Sequence, residues 1–303
     1  MSKRIFIDGQ AGTTGLGIAQ RLQETTEFSL ITLPDSDRKD PKARADAMGQ
    51  ADVTVLCLPD DAAREAVALA PAGARILDAS TAHRVAEGWV YGFAEAFPGQ
   101  ASLIAGASRV ANPGCYATGG IALLRPLTGL GLLAADAPVS INAVSGYSGG
   151  GKAMIAAHDS EGGPAFELYA LGLKHKHLPE IMRYGGLTRP PVFVPSVGHF
   201  AQGMLVCMPL FLDQLSKSGT VGQLVEAYAD YYAGQETVVV HRDLWIGNLD
   251  PQGLNHTDRL EIFICANEAA GQVVLIARLD NLGKGASGAA VQNIRLMTGV
   301  DHG

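Results

Sequence analysis

The sequence predicts a two-domain α/β protein: a parallel sheet between helices, followed by an α+β domain with a mixed or antiparallel sheet. Strand-like and helix-like segments alternate through the first third of the chain, as in the right-handed crossovers of a parallel sheet. After Cys115 the strands become longer and often follow one another without a helix, which favours a mixed or antiparallel sheet. A chain of 303 residues is long enough to bury two cores.

The first domain is predicted from its alternating elements. The pair Asp60 and Asp61 suits a helix N-terminus, because carboxylates favour the positive end of the helix dipole. We expect strands at residues 4–8, 28–33, 53–58 and 75–79, and helices at residues 15–24, 41–48 and 60–70.

The second domain is predicted from longer apolar strands. Residues 191–197 and 203–212 resemble a hairpin turned at residues 198–200, and residues 259–267 and 272–280 resemble another turned near Gly271. Further helices are expected at residues 221–232 and, in the tail, at residues 285–299.

Composition excludes several classes of protein. The formal net charge of -7 argues against a nucleic-acid partner, because neutralising phosphates requires clustered Lys and Arg. No apolar run approaches the ~20 residues that span a bilayer, and no secretory segment precedes the first strand, so we expect no membrane partner. The four cysteines form neither a disulfide framework nor a zinc-ligand spacing. We therefore expect a reduced, cytoplasmic protein without a metal.

A glycine-rich turn joins the first strand to the first helix. It carries Gly9, Gly12 and Gly15, with Thr13 and Thr14 between the last two. Such a turn brings backbone close to a pyrophosphate and points a helix N-terminus at it. The turn therefore predicts a Rossmann-type dinucleotide site, the alternative being a βα turn that binds no ligand.

The loop after the second strand bears on the choice of nucleotide. Arg38 and Lys39 follow it and suit the 2′-phosphate of NADP(H). Asp35 and Asp37 lie in the same loop, and an acidic residue there is typical of NAD sites. We favour NADP(H), the alternative being a solvated charged loop.

Cys115 is the best candidate for a nucleophile. The other three cysteines lie in apolar runs, whereas Cys115 follows a Pro-Gly turn and precedes a helix-like segment. Unpaired N–H groups and the helix dipole favour the thiolate at such a position. The alternative is a small residue required at a tight turn.

His177 is the best candidate for a general acid/base. Pro179 indicates a helix start, and His177 and Glu180 would share a face of that helix, where the carboxylate orients the imidazole. His175 would point elsewhere if its segment is helical, so replacing it should have a mild effect. The alternatives are a surface basic turn or a metal site, but no third ligand is evident.

Taken together, the motifs resemble the N-acetyl-gamma-glutamyl-phosphate reductase family, specifically its shorter form, along essentially the whole chain. The motifs are Gly9-x-x-Gly12-x-x-Gly15, Asn112-Pro113-Gly114-Cys115-Tyr116, Ser145-Gly146-Tyr147-Ser148-Gly149, His175-x-His177-x-Pro179-Glu180-Ile181, and the run from Lys284 to Asn293.

This resemblance implies an activity. The family reduces the acyl phosphate N-acetyl-L-glutamyl 5-phosphate to the semialdehyde with NADPH, releasing inorganic phosphate, in arginine biosynthesis. Its nucleophile matches Cys115, its acid/base matches His177, and the supporting carboxylate matches Glu180. Chemically, the thiolate forms a thioester, which accepts hydride more readily than a carboxylate does.

The resemblance also implies an organisation. The tail should return to the first domain, with Gly285 and Gln292 near the cofactor. The predicted domains are therefore residues 1–112 with 283–303 for NADP binding, and residues 113–282 for catalysis and oligomerisation. A homo-oligomer, dimer or tetramer, is expected through the second-domain sheet.

Candidate substrate residues are less specific. Arg84 and Arg109 are chosen because a guanidinium forks onto phosphate or carboxylate. Asn112 belongs to the cysteine motif, and Ser145 and Gly146 open a segment that can offer backbone N–H donors. The alternative for each arginine is a structural ion pair.

Three other functions remain open at this stage. An aspartate-semialdehyde dehydrogenase would use the same chemistry, but usually has Asn directly before its cysteine, where this chain has Gly114. A non-catalytic NADP sensor would not need both Cys115 and His177. A cysteine hydrolase would not need the glycine loop.

One departure from longer relatives is Ala94 in place of Pro before Glu95, whose role the sequence leaves open.

Overall fold

The structure is a computed structural model that describes residues 2–216 and 220–300. Short 3₁₀ turns and one π-turn complete the elements. The strands are β1 Lys3–Asp8, β2 Phe28–Ile31, β3 Val53–Leu56, β4 Ile76–Asp78, β5 Val90–Tyr91, β6 Arg109–Ala111, β7 Ser140–Gly146, β8 Phe166–Leu168, β9 Val192–Gly198, β10 Met204–Phe211, β11 Val238–Val240, β12 Leu260–Asn267 and β13 Gln272–Leu279. The helices are α1 Thr13–Gln23, α2 Pro41–Gln50, α3 Asp60–Leu69, α4 Gln100–Gly106, α5 Cys115–Gly129, α6 Gly151–Glu161, α7 Leu178–Gly185, α8 Val221–Tyr231 and α9 Gly288–Thr298.

The chain divides into two compact units. The first contains the residues up to Ala94, Pro98–Pro113 and the residues from Ala286 onward; the second contains Glu95–Phe97 and Gly114–Gly285. The sequence placed the boundaries after residues 112 and 282, and it did not anticipate that the short segment Glu95–Phe97 would belong with the second unit.

The first unit is built on a parallel sheet with both faces covered. Its strand order is β2-β1-β3-β4-β6-β5, and every pair is parallel. Ile5 and Ile7 of β1 pack in a core with α1, α4 and α9, whereas Phe6 packs in a second core with α2 and α3. Alternate strand residues point to opposite faces, so apolar residues at consecutive positions require helices on both sides. The predicted parallel sheet is confirmed.

The second unit is built on a mixed sheet, as predicted. Its order is β11-β12-β13-β10-β7-β9-β8. Buried residues alternate along β10 and β13, and α5 packs against the buried face of both strands. The hairpin of β12 and β13 is confirmed, with Asn267 opposite Gln272.

The other predicted hairpin is wrong. The strands β9 and β10 are not neighbours, because β7 lies between them, parallel to β9 and antiparallel to β10. The connecting loop crosses the end of β7 and accepts the N–H groups of residues 146–148. A Cβ on Gly146 would lie 2.6 Å from the Ala201 backbone, so glycine permits this crossing. In the described ranges, no helix is long and apolar enough to cross a membrane.

Candidate active site

Cys115 is the first residue of α5. Gly114 is the N-cap, with extended dihedrals (φ -80°, ψ 148°), and among the described residues no side chain caps the helix. The predicted position of the thiol in a first helical turn is therefore confirmed. Small residues follow, because α5 packs closely on the sheet: a Cβ on Gly119 would lie 2.6 Å from Val206 of β10. This packing fixes the helix that carries the thiol.

Gly285 lies directly against Cys115. A Cβ added to Gly285 would lie 2.8 Å from the Cys115 Cβ and 3.1 Å from the Asp280 carbonyl oxygen. Both residues belong to the second unit. The role of Gly285 as a cofactor contact stays a prediction, and the structure adds that this glycine lies against the candidate nucleophile.

The other cysteines are poor nucleophiles. Burial, followed by the charges of Asp78 and Asp8, raises the pKa of Cys57 to about 12. Burial raises the pKa of Cys207 to about 11, and it also raises the pKa of Cys265. A thiol with a raised pKa stays protonated at neutral pH and reacts slowly.

Glu180 connects the cysteine turn to His177. Its side chain is 1% exposed, its Oε2 accepts the Gly114 N–H at 3.1 Å, and its Oε1 lies 4.0 Å from His177 Nε2. His177 is the N-cap of α7, with Pro179 in the first turn, as the sequence predicted. One buried carboxylate thus touches both the turn that carries the nucleophile and the candidate acid/base.

His175 does not point away from the site. Helix α7 begins at Leu178, so the segment before it is not helical, and the reason for expecting a mild effect at His175 is wrong. His175 Nδ1 accepts the backbone N–H of His177 at 3.1 Å, and its Nε2 lies 3.3 Å from the Tyr169 hydroxyl. An Nδ1 that accepts a hydrogen bond places the proton of a neutral ring on Nε2. His175 therefore holds the backbone of the candidate acid/base.

Two tyrosines close to the cysteine were not predicted. Tyr116 donates its hydroxyl to the Ser196 carbonyl at 2.8 Å and packs edge-on against His175. Burial is the largest cause that raises the pKa of Tyr169 to about 12, and the nearby Cys115 is a smaller one. Burial is also the largest cause that raises the pKa of Tyr116, so both phenols stay neutral at physiological pH. For Tyr116, its position next to Cys115 in the sequence was a signal that it lies near the thiol. For Tyr169 the sequence contains no such signal.

Ser145 and Gly146 lie at the end of β7. Ser145 is 2% exposed, and its hydroxyl donates to the Gly146 carbonyl at 3.1 Å. The N–H groups of Gly146, Tyr147 and Ser148 donate to the loop that crosses β7. These three donors are thus used within the fold, although the sequence had suggested this segment as a source of free donors.

In the first unit, Arg84 and Asn112 lie together. Arg84 is 8% exposed and donates Nε to the Asn112 carbonyl at 3.0 Å. Asn112 follows β6 at its carboxyl end, and its Nδ2 donates to the Ala286 carbonyl at 3.0 Å. Arg109 begins the same strand, so it lies at the amino ends of the parallel strands, opposite to Asn112. It donates to the carbonyls of Ala74 and Ser108.

The dinucleotide loop has the expected geometry. Gly9 adopts φ +84°, and a Cβ there would lie 2.4 Å from the Cys57 carbonyl oxygen. Helix α1 begins at Thr13, followed by Thr14, with Gly12 as N-cap. Among the described residues other than its chain neighbours, a Cβ on Gly12 would come within 4 Å of the Gly9 and Cys57 carbonyls alone, at 3.6 and 4.0 Å, so space remains at this helix N-terminus. A pyrophosphate fits here, because uncapped N–H groups and the helix dipole attract an anion.

The remaining cofactor candidates are Gly15, Arg38 and Gln292. A Cβ on Gly15 would lie 2.8 Å from the Gln10 Cα, so glycine permits the tight turn. Arg38 pairs with Asp35 at 2.8 Å, and both side chains are exposed. Gln292 is half-buried on α9 in the first unit.

Family models match both units. Residues 4–104 match the semialdehyde dehydrogenase NAD binding domain, and residues 115–281 match the semialdehyde dehydrogenase dimerisation domain. Among solved structures, aspartate semialdehyde dehydrogenase II from Vibrio cholerae has a TM-score of 0.73 at 15% identity, with 98% of each chain covered. The aspartate semialdehyde dehydrogenase from Candida albicans has a TM-score of 0.69 at 14% identity, covering 99% of this chain and 100% of the other. At these identities the likeness shows the fold.

Curated relatives are far closer in sequence. The proteins named N-acetyl-gamma-glutamyl-phosphate reductase from Brucella ovis and Brucella melitensis are each 50% identical, over 99% of this chain and 100% of the relative. The chain therefore belongs to the semialdehyde dehydrogenase family and, within it, to the N-acetyl-gamma-glutamyl-phosphate reductases.

Proposed function

We propose that this enzyme reduces N-acetyl-L-glutamyl 5-phosphate to N-acetyl-L-glutamate 5-semialdehyde and phosphate with NADPH, in arginine biosynthesis. The observation that carries the proposal is the arrangement around Glu180, which bonds to the turn before Cys115 and lies 4.0 Å from His177 Nε2. The 50% identity to reductases of that name supports the substrate.

The residues of the glycine loop fit the nucleotide. The N-terminus of α1, with Gly9, Gly12, Thr13 and Thr14, would hold its pyrophosphate. When bound, the nicotinamide supplies the hydride. The structure of the Candida albicans relative is described with NADP, which supports NADP(H) rather than NAD(H) as the cofactor.

The chain's own residues account for the rest of the chemistry. The Cys115 thiolate attacks the acyl carbon, the bond to the phosphate oxygen breaks, and the acyl group is left as a thioester. His177 donates a proton to the acyl oxygen as that carbonyl is reduced, and takes the proton back as the carbon–sulfur bond breaks and the aldehyde leaves. Glu180 supports His177 as the imidazolium forms.

Arg84 is the proposed anion-binding residue of the substrate site. Its position beside Asn112, at the carboxyl ends of parallel strands, is where ligands of open α/β sheets bind. We leave Arg109 out of the proposed site, because it begins β6 and therefore lies at the amino ends of the parallel strands, away from the carboxyl ends where Asn112 follows the same strand.

The substrate is tested by the reverse reaction. Phosphate-dependent reduction of NADP⁺ should proceed with N-acetylglutamate semialdehyde and be slower by orders of magnitude with aspartate semialdehyde. The reverse preference would instead favour an aspartate-semialdehyde dehydrogenase, whose solved examples share the fold. Absence of turnover with either substrate would favour a nucleotide sensor.

NADPH is expected to be preferred over NADH. The pair of Arg38 with Asp35 is exposed, and such pairs contribute only about 0–1 kcal/mol, so a 2′-phosphate can compete for the guanidinium. Arg38→Ala should reduce the preference mainly by raising KM for NADPH. Arg64→Ala, which removes another exposed ion pair of this unit, serves as the control. Equal kcat/KM for NADPH and NADH in the unmodified enzyme would contradict the assignment.

We also propose a homo-oligomer, dimer or tetramer, in a reducing compartment such as the cytoplasm. The sheet face opposite α5 carries a row of apolar side chains, Leu205 and Pro209 on β10 and Val274 and Ile276 on β13, between the polar residues Gln272 and Arg278. The four cysteines are all free, which suits a reducing compartment. The matching family model describes a dimerisation domain.

Ile276→Lys should dissociate the assembly, because a buried charge without a partner is costly at an interface. Light scattering after size exclusion should give the mass of one chain for this variant and a multiple for the unmodified protein. Leu103→Lys, at an exposed position on α4, should leave the mass unchanged. A single-chain mass for the unmodified protein would contradict the proposal.

A further inference from the structure

The ammonium group of Lys284 is buried in the second unit and fully bonded. Its side chain is 2% exposed, and its Nζ donates to Glu95 Oε1 and Oε2, both at 2.8 Å, and to Thr237 Oγ1 at 2.9 Å. The Thr237 hydroxyl in turn donates to Glu95. These partners use all three N–H groups of the ammonium.

A buried ion pair of this kind is not explained by stability alone. Removing two charges from water carries a large desolvation cost, and well-packed apolar residues often serve the fold as well or better. The segment around Glu95 is also attached by other contacts: the Tyr231 hydroxyl donates to the Ala96 carbonyl at 2.7 Å, and Arg125 stacks on Phe97. A role in positioning something else is the better explanation.

The residue after Lys284 indicates what is positioned. Residues Gly283–Ser287 form a π-turn in which the Gly285 N–H donates to the Asp280 carbonyl at 2.9 Å. Asp280 anchors one side of this turn, accepting the Leu282 N–H at 2.8 Å and the His256 N–H at 2.7 Å. Lys284 anchors the other side, and between these anchors the Gly285 backbone lies against the Cys115 Cβ.

We propose that Lys284, held by Glu95 and Thr237, is a positioning residue for the Cys115 thiol. By fixing the π-turn, it holds the Gly285 backbone against the cysteine and restricts where the sulfur can lie. This inference deepens the proposed function, because it rests on Cys115 being the nucleophile. It assigns a role to Glu95, which the sequence had left open.

The test replaces the whole pair rather than one partner. Glu95→Leu combined with Lys284→Met leaves no unpaired buried charge, so the variant should fold. The control is Glu27→Leu combined with Arg295→Met, which removes the ion pair at 2.6 Å in the first unit. Thr237→Val is the milder variant, because it keeps the ion pair and removes one hydroxyl.

Two measurements separate positioning from stability. The first is the rate of Cys115 alkylation by iodoacetamide against pH, without substrate and with the site located by mass spectrometry. The second is steady-state kinetics, which shows whether the change falls on kcat or on KM. In the Glu95/Lys284 variant, the dependence of the Cys115 alkylation rate on pH should differ from that of the unmodified enzyme. The kcat should fall roughly ten- to a hundredfold, since small displacements of reacting groups have effects of that size. Thr237→Val should change both in the same direction by less.

The control variant should lose thermal stability while keeping the unmodified alkylation profile. Folded Glu95/Lys284 and Thr237→Val variants with unmodified profiles and kcat would overturn the proposal; if the double variant fails to fold, Thr237→Val decides. Because alkylation needs no substrate, a shifted profile in an enzyme that does not reduce the acyl phosphate would retain this inference and reject the proposed function.

Discussion

Cys115→Ser is expected to lose nearly all reductase activity while still binding NADPH. The serine hydroxyl is a far weaker nucleophile at neutral pH than a thiolate at a helix N-terminus, and loss of a covalent nucleophile generally lowers kcat by several orders of magnitude. Steady-state rates measure the loss, and fluorescence titration with NADPH measures the retained binding.

The matched controls are Cys207→Ser and Cys265→Ser. Both thiols are free and have pKa values raised by burial, so their replacement should change stability more than rate. Alkylation at neutral pH should reach Cys115 before the other three cysteines. Retention of more than roughly a tenth of the unmodified kcat by Cys115→Ser would contradict the assignment.

His177→Asn is expected to lower kcat by roughly two to four orders of magnitude, because the asparagine amide cannot carry a proton to and from the acyl oxygen. The pH dependence of kcat should also flatten in the range where imidazoles titrate. Initial rates across a pH series measure both effects.

Two neighbouring variants show whether the correct histidine is assigned. Glu180→Gln should lower kcat less than His177→Asn does. The amide oxygen can still accept the Gly114 N–H, although the negative charge beside His177 is lost. His175→Asn should lower kcat more than a substitution at the protein surface does, because His175 Nδ1 accepts the His177 N–H. An essential His175 with a dispensable His177 would show that the roles are reversed.

Local signals were sufficient to predict part of this molecule. The glycine loop, the Cys115 turn and the start of α7 are each set by a few adjacent residues whose backbone preferences agree. The parallel sheet was predictable because strand-like and helix-like segments alternate through the first third of the chain, as right-handed crossovers require.

Features set by distant contacts were not predictable in the same way. The strands β9 and β10 read as a hairpin because their sequences are adjacent and apolar, and nothing local reveals that β7 inserts between them. The partners Glu95, Thr237 and Lys284 are far apart in the chain, so their cluster exists only in the fold. The contact of Gly285 with Cys115 is of the same kind.

The covalent thioester is tested most directly by trapping it. The enzyme is mixed with N-acetyl-L-glutamyl 5-phosphate in the absence of NADPH, quenched in acid, digested, and analysed by mass spectrometry together with a phosphate assay. We predict one N-acetylglutamyl group on Cys115, one phosphate released per active site, and loss of the adduct when NADPH is added before the quench. Turnover by an enzyme whose Cys115 stays unmodified, or an adduct on another residue that NADPH discharges, would contradict the account.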